Sequence, residues 1–196
     1  MSNPLSLQLW CWRHPRCKAA AGRCIGHTDV PVHARRAKRL AHSMRQNARR
    51  HALPRQVWVS PLQRSHVVGQ WLQRWGWVVH TSPLLVELNF GTWDGKPWPQ
   101  VPWAEVEAWQ NDLLHHAPGG GESLWDIKAR VSAFLQAAAP ASKGAIQLVG
   151  HGGWINTLLH LQLLGDGRTH LAASSWPAAP PHGSLTQLTV QPSPLP

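Results

Sequence analysis

The chain has 196 residues, 43% of them hydrophobic, and a formal charge of +10. That length can bury a full core in one domain without disulfide or metal staples. Three cysteines, Cys11, Cys17 and Cys24, crowded into one short stretch, exclude a disulfide framework and fit a reducing compartment.

In chain order, Leu5 to Trp12 reads as a short buried strand, followed by a loop containing Gly22, Gly26 and Pro31. Val32 to Ala52 carries Ala37, Leu40, Ala41, Met44 and Ala48 at helical spacing, so Arg35, Arg36, Lys38, Arg39, Arg45, Arg49 and Arg50 form the solvated side of an amphipathic helix. No nucleic-acid partner is expected from it, although such a surface attracts anionic substrates. Val57 to Ser60 is a second strand between prolines, Gln63 to Trp75 a helix and Val78 to His80 a third strand. A Gly-, Trp- and Pro-containing loop spans Asn89 to Pro102, and a helix Ala104 to His116. After the break at Pro118 to Gly121, Ser123 with Asp126 starts a capping-box helix that runs to about Ala139. Ala145 to Val149 is a buried strand, Trp154 to Leu164 a helix, Ser174 to Gly183 an irregular loop and Leu185 to Val190 a last strand. Residues 1–190 are expected to form one domain and 191–196 a frayed tail. No apolar run approaches the ~18 residues of a membrane span, and Met1 to Ser6 lacks a signal-peptide pattern, so cytoplasm is the expected location with no membrane partner. Oligomeric state leaves no signature.

Strands alternating with helices imply an α/β domain with a mostly parallel sheet, in which ligands sit beyond the carboxyl ends of the strands. Past the first strand stand Arg13 and His14, past the second Ser60 and Arg64, past the Ala145 strand His151 and two glycines, and in the loop after the third Glu87. Two guanidiniums and a helix N-terminus suit a phosphate dianion. Nearby arginines keep His14 neutral and nucleophilic. The chemistry this allows has two steps: His14 takes the phosphoryl group, Glu87 protonates the leaving oxygen and then activates water, while Arg13, Arg64 and His151 hold the phosphoryl oxygens.

Four segments in order carry a resemblance. Leu9 to His14 resembles the Arg-His signature of the histidine phosphatase superfamily, Ser60 to Ser65 its second-arginine motif, Glu87 to Gly95 its acid-bearing loop and Val149 to Gly153 its second-histidine motif. The resemblance implies a three-layer α/β/α sandwich of phosphoglycerate mutase-like type, no cofactor, no metal, and a small-molecule phosphate monoester as partner. Cys24 to Pro31 is similar to a loop of α-ribazole phosphatases, which implies α-ribazole 5′-phosphate in cobalamin synthesis as substrate. A broad sugar or nucleotide phosphomonoesterase and a mutase are the alternatives.

The chain departs from that pattern at Pro15, where the family usually has Gly, at Asn89, where Asp is usual, and at Arg16 to Lys18. Proline after the nucleophile lacks an N–H, which admits an inactive member as a further reading. Glu105, Glu107 and Glu122 are competing carboxyls; Glu122 could instead serve the helix dipole at Ser123, and Asp29 a turn. Cys11, His14, Cys17, Cys24 and His27 have ligand types for a zinc-stabilised basic binding module. Cys17 to Arg23 fits a Cys-x5-Arg phosphate loop with a thiolate nucleophile. Against the zinc reading, Cys11 sits inside a strand and the pairs are closer than in standard fingers; against the thiolate loop, no apolar strand leads into Cys17 and only Gly22 is flexible.

Overall fold

Leu7–Arg13 (β1) and Ala145–Gly150 (β4) are almost wholly buried strands, as runs covered on both faces must be. They pair in parallel with Leu9 opposite Ile146 and Arg13 opposite Gly150. Gln56–Val59 (β2) lies parallel on the other side of β4, and Val78–Thr81 (β3) parallel beyond it. Leu185–Val190 (β5) pairs antiparallel with the free edge of β1, giving the order β3-β2-β4-β1-β5. These relations come from a computed structural model that describes residues 6–160 and 171–190.

Alternation along the strands divides the core into two layers. Leu9, Cys11, Ile146 and Leu148 face Leu124–Ala138 (α4) and Gly152–Leu159 (α5), meeting Ile127, Val131, Phe134, Trp154 and Leu158. Trp12, Val57, Val59 and Val149 belong to the opposite layer, with Ala34–Arg50 (α1) and Gln63–Arg74 (α2). The apolar stripe of α1 is the expected one, Ala37, Leu40, Ala41, Met44 and Ala48, and Arg35, Arg36, Lys38, Arg39, Arg49 and Arg50 are exposed. The α/β/α sandwich read from the sequence is therefore the observed architecture.

Boundaries shift for local reasons. α1 starts after His33, whose Nδ1 accepts from Arg35 N, and ends before Ala52, which takes the left-handed conformation at φ 50°. Trp103–Asn111 (α3) is shorter than expected because Asp112 leaves helical geometry and Leu113 N donates to Leu171 O. α4 keeps its reciprocal Ser123–Asp126 cap. α5 begins directly after His151, two residues before the expected start; its expected continuation to Leu164, the start of the first strand at Leu5 and the tail 191–196 lie outside the described residues. Among the described residues no helix is long and apolar enough to cross a membrane.

Candidate active site

The sheet register brings the sequence-distant candidates together. Arg13 lies opposite Gly150, His14 N donates to Gly150 O, and Ser60 N reaches Val149 O, so β1, β2 and β4 finish level at one rim. Arg64 stands in the first turn of α2, whose start is fixed by two contacts: Ser65 Oγ donates to Val149 O at 2.7 Å, and Gln63 N donates to Asp29 Oδ1 at 2.7 Å. Asp29 thus caps α2 from the preceding loop and does more than form a turn.

His14 is buried, and its Nδ1 lies 2.8 Å from Pro15 O. A carbonyl only accepts, so Nδ1 carries the proton and Nε2 keeps its lone pair. Burial, then Arg64, holds the His14 imidazole well below its ordinary range, against the opposing pull of the Pro15 carbonyl; His182 and Arg13 add to the lowering. His151 has the complementary tautomer. Arg64 Nε donates to its Nδ1 at 3.2 Å, so the proton sits on Nε2, which is buried and has no hydrogen-bond partner. Burial, then His14 and Arg64, likewise keeps this second ring neutral.

Arg64 is 1% exposed, and its terminal nitrogens donate to Thr28 O and Gly26 O, neither of them a carboxylate. Arg13 donates from Nη1 to Pro180 O at 2.6 Å and leaves Nε without a partner. Among the described residues the one ion pair is Arg130 with Glu122. A buried guanidinium without a carboxylate is costly unless an anion completes it. Buried Arg64, half-buried Arg13, a lone-pair nitrogen and an unpartnered N–H at one rim can bind a tetrahedral oxyanion and present it to His14, with Glu87 close enough to act on both guanidiniums.

Glu87 is also at this rim. Its Oε1 accepts from Leu88 N and Trp154 N and its Oε2 from Gly153 N, each at 3.0 Å, so the carboxylate sits on the N-terminus of α5. The two glycines after His151 exist for space. A Cβ at Gly152 would lie 2.8 Å from the Arg13 guanidinium, and one at Gly153 2.7 Å from Glu87 Oε1. The competing carboxyls have other partners or positions. Glu105 accepts from Trp93 Nε1, Glu107 is exposed on α3, and Glu122, next to the α4 cap, joins Arg130 and Asn89 N.

Sequence reasoning missed three contributors. His182, in the loop before β5, has its ring centroid 5.2 Å from that of His14. The residue is exposed, yet partial loss of solvent on the side facing the site, then Arg13, Arg16 and Arg64, pulls its imidazole down to about 4. Asp94 accepts from Gly26, Thr28 and His27 N–H groups, holding the loop whose carbonyls receive Arg64. Burial raises the Asp94 carboxyl, but these hydrogen bonds outweigh it and the net shift is downward. Arg130, mid-helix in α4, donates to Leu84, Val86 and Glu87 carbonyls and shapes the turn that presents Glu87.

The zinc ligand set does not assemble. Cys11 belongs to the core against α4 and α5, Cys24 to a separate cluster with Trp93, and among the described residues no three His, Cys, Asp or Glu side chains are placed to hold a metal. The Cys17 loop is likewise unsupported. Burial raises the Cys17 thiol, which donates to Pro15 O, and Arg23 is committed to Gly95 O.

Next to Glu87 and Gly153 opens a cavity of about 260 Å³ with Phe90, Trp109, Leu113, Asn156 and Trp176 in its wall. A second cavity, of about 270 Å³ between Arg45, Arg49, Arg55, Trp75 and Trp77, shares no residue with this rim.

Residues 9–193 match the family model of the histidine phosphatase superfamily, branch 1. No curated protein matches the chain. Among solved structures, the mycobacterial glucosyl-3-phosphoglycerate phosphatase is 25% identical, with a TM-score of 0.75 over 94% of this chain and 90% of that one. The same enzyme in complex with VO3 gives 26% identity and a TM-score of 0.73 over 92% of each chain. The α-ribazole phosphatase of Shigella flexneri is similar in fold, at 24% identity and a TM-score of 0.70 over 92% and 89%. The phosphoglycerate mutase-like architecture is common to these proteins and this chain.

Proposed function

This chain belongs to the histidine phosphatase superfamily, and on that premise we propose that it hydrolyses a small-molecule phosphate monoester through a phosphohistidine at His14. The observation that carries the proposal is the pair of tautomers: a bare Nε2 on His14 beside an unpartnered Nε2–H on His151, with the guanidiniums of Arg13 and Arg64 hydrogen-bonded to carbonyls and not to carboxylates.

The His14 Nε2 lone pair forms the N–P bond as the P–O bond to the leaving alcohol breaks, its electron pair staying on oxygen. Protonated Glu87 gives its proton to that oxygen. The Glu87 carboxylate then takes a proton from water, whose oxygen attacks phosphorus, and the N–P electrons return to Nε2. Arg13, Arg64 and His151 hold the three phosphoryl oxygens, on which charge accumulates in a loose transition state.

For the finer substrate we infer an alcohol that carries an apolar ring, α-ribazole 5′-phosphate being the favoured member of the class. Glu87 borders the cavity, so the leaving group it protonates is directed toward Phe90, Trp109 and Trp176. The Cys24 to Pro31 loop supports the same choice. The mycobacterial neighbour acts on a glucosylated phosphoglycerate, which makes a sugar phosphate the competing substrate.

A panel of α-ribazole 5′-phosphate, a purine nucleoside 5′-phosphate, glucosyl-3-phosphoglycerate and 3-phosphoglycerate, assayed in EDTA, tests both levels. Hydrolysis lost in His14→Ala is the expected result, with kcat/KM highest for α-ribazole 5′-phosphate. A preference for the glucosyl ester replaces the finer reading; phosphoryl relocation on 3-phosphoglycerate replaces hydrolysis with mutase chemistry.

A further inference from the structure

Position 15 adjoins the proposed nucleophile, and proline there has no N–H to offer a bound oxyanion. Pro15 is buried, and its carbonyl is taken up in orienting His14. The rim opposite supplies a side chain instead. His182 and His151 both lie close to the His14 ring, with centroids 5.2 and 5.1 Å away. The segment that carries His182 is fastened to the site on both sides. Arg13 Nη1 donates to Pro180 O, Gly183 N to Arg13 O, and Arg13 N to Ser184 O. Ser184 Oγ closes the turn onto Pro181 O, and Asn156 of α5 holds Pro177 O at 2.6 Å. Three prolines, Pro177, Pro180 and Pro181, stiffen it further. These contacts fix the backbone on either side of His182, and so set its exposed ring beside Arg13 and the nucleophile.

We propose that His182 is a phosphoryl-binding residue, donating an N–H to an equatorial oxygen in place of the backbone donor that Pro15 removes. The proposal rests on the reading of His14 as the phosphoryl acceptor. A neutral imidazole has one N–H, and the lowering of His182 by partial loss of solvent and by Arg13, Arg16 and Arg64 leaves it neutral before the anion arrives. Rotation of the ring about its χ bonds selects which nitrogen meets the oxygen; no proton or group is transferred.

The test compares wild type, His182→Ala, His182→Asn, Pro15→Gly and the Pro15→Gly/His182→Ala double variant, by kcat/KM on a phosphate ester and by calorimetric binding of inorganic phosphate. One hydrogen bond to a charged oxygen is worth about ten- to hundredfold, so His182→Ala loses that much in both measurements and His182→Asn, which keeps an N–H, loses less. In the Pro15→Gly background the returning backbone N–H shrinks the His182→Ala loss to about threefold or less. Equal losses in both backgrounds, or phosphate affinity unchanged in His182→Ala, overturn the proposal. If wild type hydrolyses no ester, the proposed function fails separately, while phosphate binding still reports on His182. If Pro15→Gly does not fold, the Ala-against-Asn comparison at position 182 decides.

Discussion

Arg64 Nε donates to His151 Nδ1 at 3.2 Å, joining residues 87 positions apart in the chain. The contact sets the His151 tautomer, and with it the direction in which the unpartnered Nε2–H points. A hydrogen bond of this kind decides which nitrogen of the His151 ring faces the anion.

Arg64→Lys removes that control along with the forked donors. An ammonium cannot reach His151, Thr28 O and Gly26 O together. The expected outcome is a fall of about 10²–10³-fold in kcat/KM with the fold intact by circular dichroism. A loss below fivefold contradicts the tautomer argument.

Gly153→Ala tests whether the carboxylate on the α5 N-terminus takes part in chemistry. The new Cβ must push Glu87 Oε1 from its place 2.7 Å away. Turnover should fall by at least about tenfold for esters of poor leaving groups and less for activated aryl esters, the pattern of a displaced general acid. Gly152→Ala should instead weaken phosphate binding, because its Cβ meets the Arg13 guanidinium. Equal loss across leaving groups in Gly153→Ala would contradict the acid role.

Stability should fall as the medium is acidified from pH 7 to 5. His14 and His151 are buried and held well below their ordinary range, whereas in the unfolded chain they titrate near ~6.5. Below that value the unfolded state binds protons that the folded state refuses, so stability is complete above about pH 6.5 and declines as pH drops toward the folded values. Each ring contributes roughly 1.4 kcal/mol per pH unit within that window. Urea titrations at pH 7.5, 6 and 5 read the slope, and His151→Asn should flatten it. A level profile is the contrary result. Asp94 and Asp126, held below the usual carboxylate range, add their losses only nearer pH 4.

Asp94→Ala should destabilise by about 1–3 kcal/mol, because three loop N–H groups lose their acceptor. The same loop presents Gly26 O and Thr28 O to Arg64, so kcat/KM should decline as well. Thermal unfolding and kinetics on one preparation check both; loss of stability with full activity would separate the loop from the site.

Strand ends were the legible part of this chain. The rule that parallel strands deliver ligand-binding residues at their carboxyl ends needs only hydrophobic runs and the residues after them, and it gathered Arg13, His14, Arg64, Glu87 and His151 before any coordinates. The paired glycines after His151 were visible too, but their reason was not: the crowding by Arg13 and Glu87 exists only in three dimensions. His182 carries no local signal, since its loop has no periodicity and the fastening comes from Arg13 and Asn156. Asp29 looked like a turn residue, and Asp94 drew no reading of its own, because their partners are 34 and 66–68 positions distant. The end of α1 misled for a different cause: Ala52 adopts a positive φ, a role for which Gly is the usual marker.

The antiparallel pairing of β5 with β1 sets a condition on when the site comes into being. Arg13 at one end of the chain exchanges backbone hydrogen bonds with Gly183 and Ser184 at the other. During synthesis from the N-terminus, every earlier strand and helix can emerge and pack while Arg13 still lacks Pro180 and the ring of His182 is absent. Full anion affinity should therefore arrive only with β5, and ribosome-bound intermediates that lack it should hold phosphate more weakly than the finished protein.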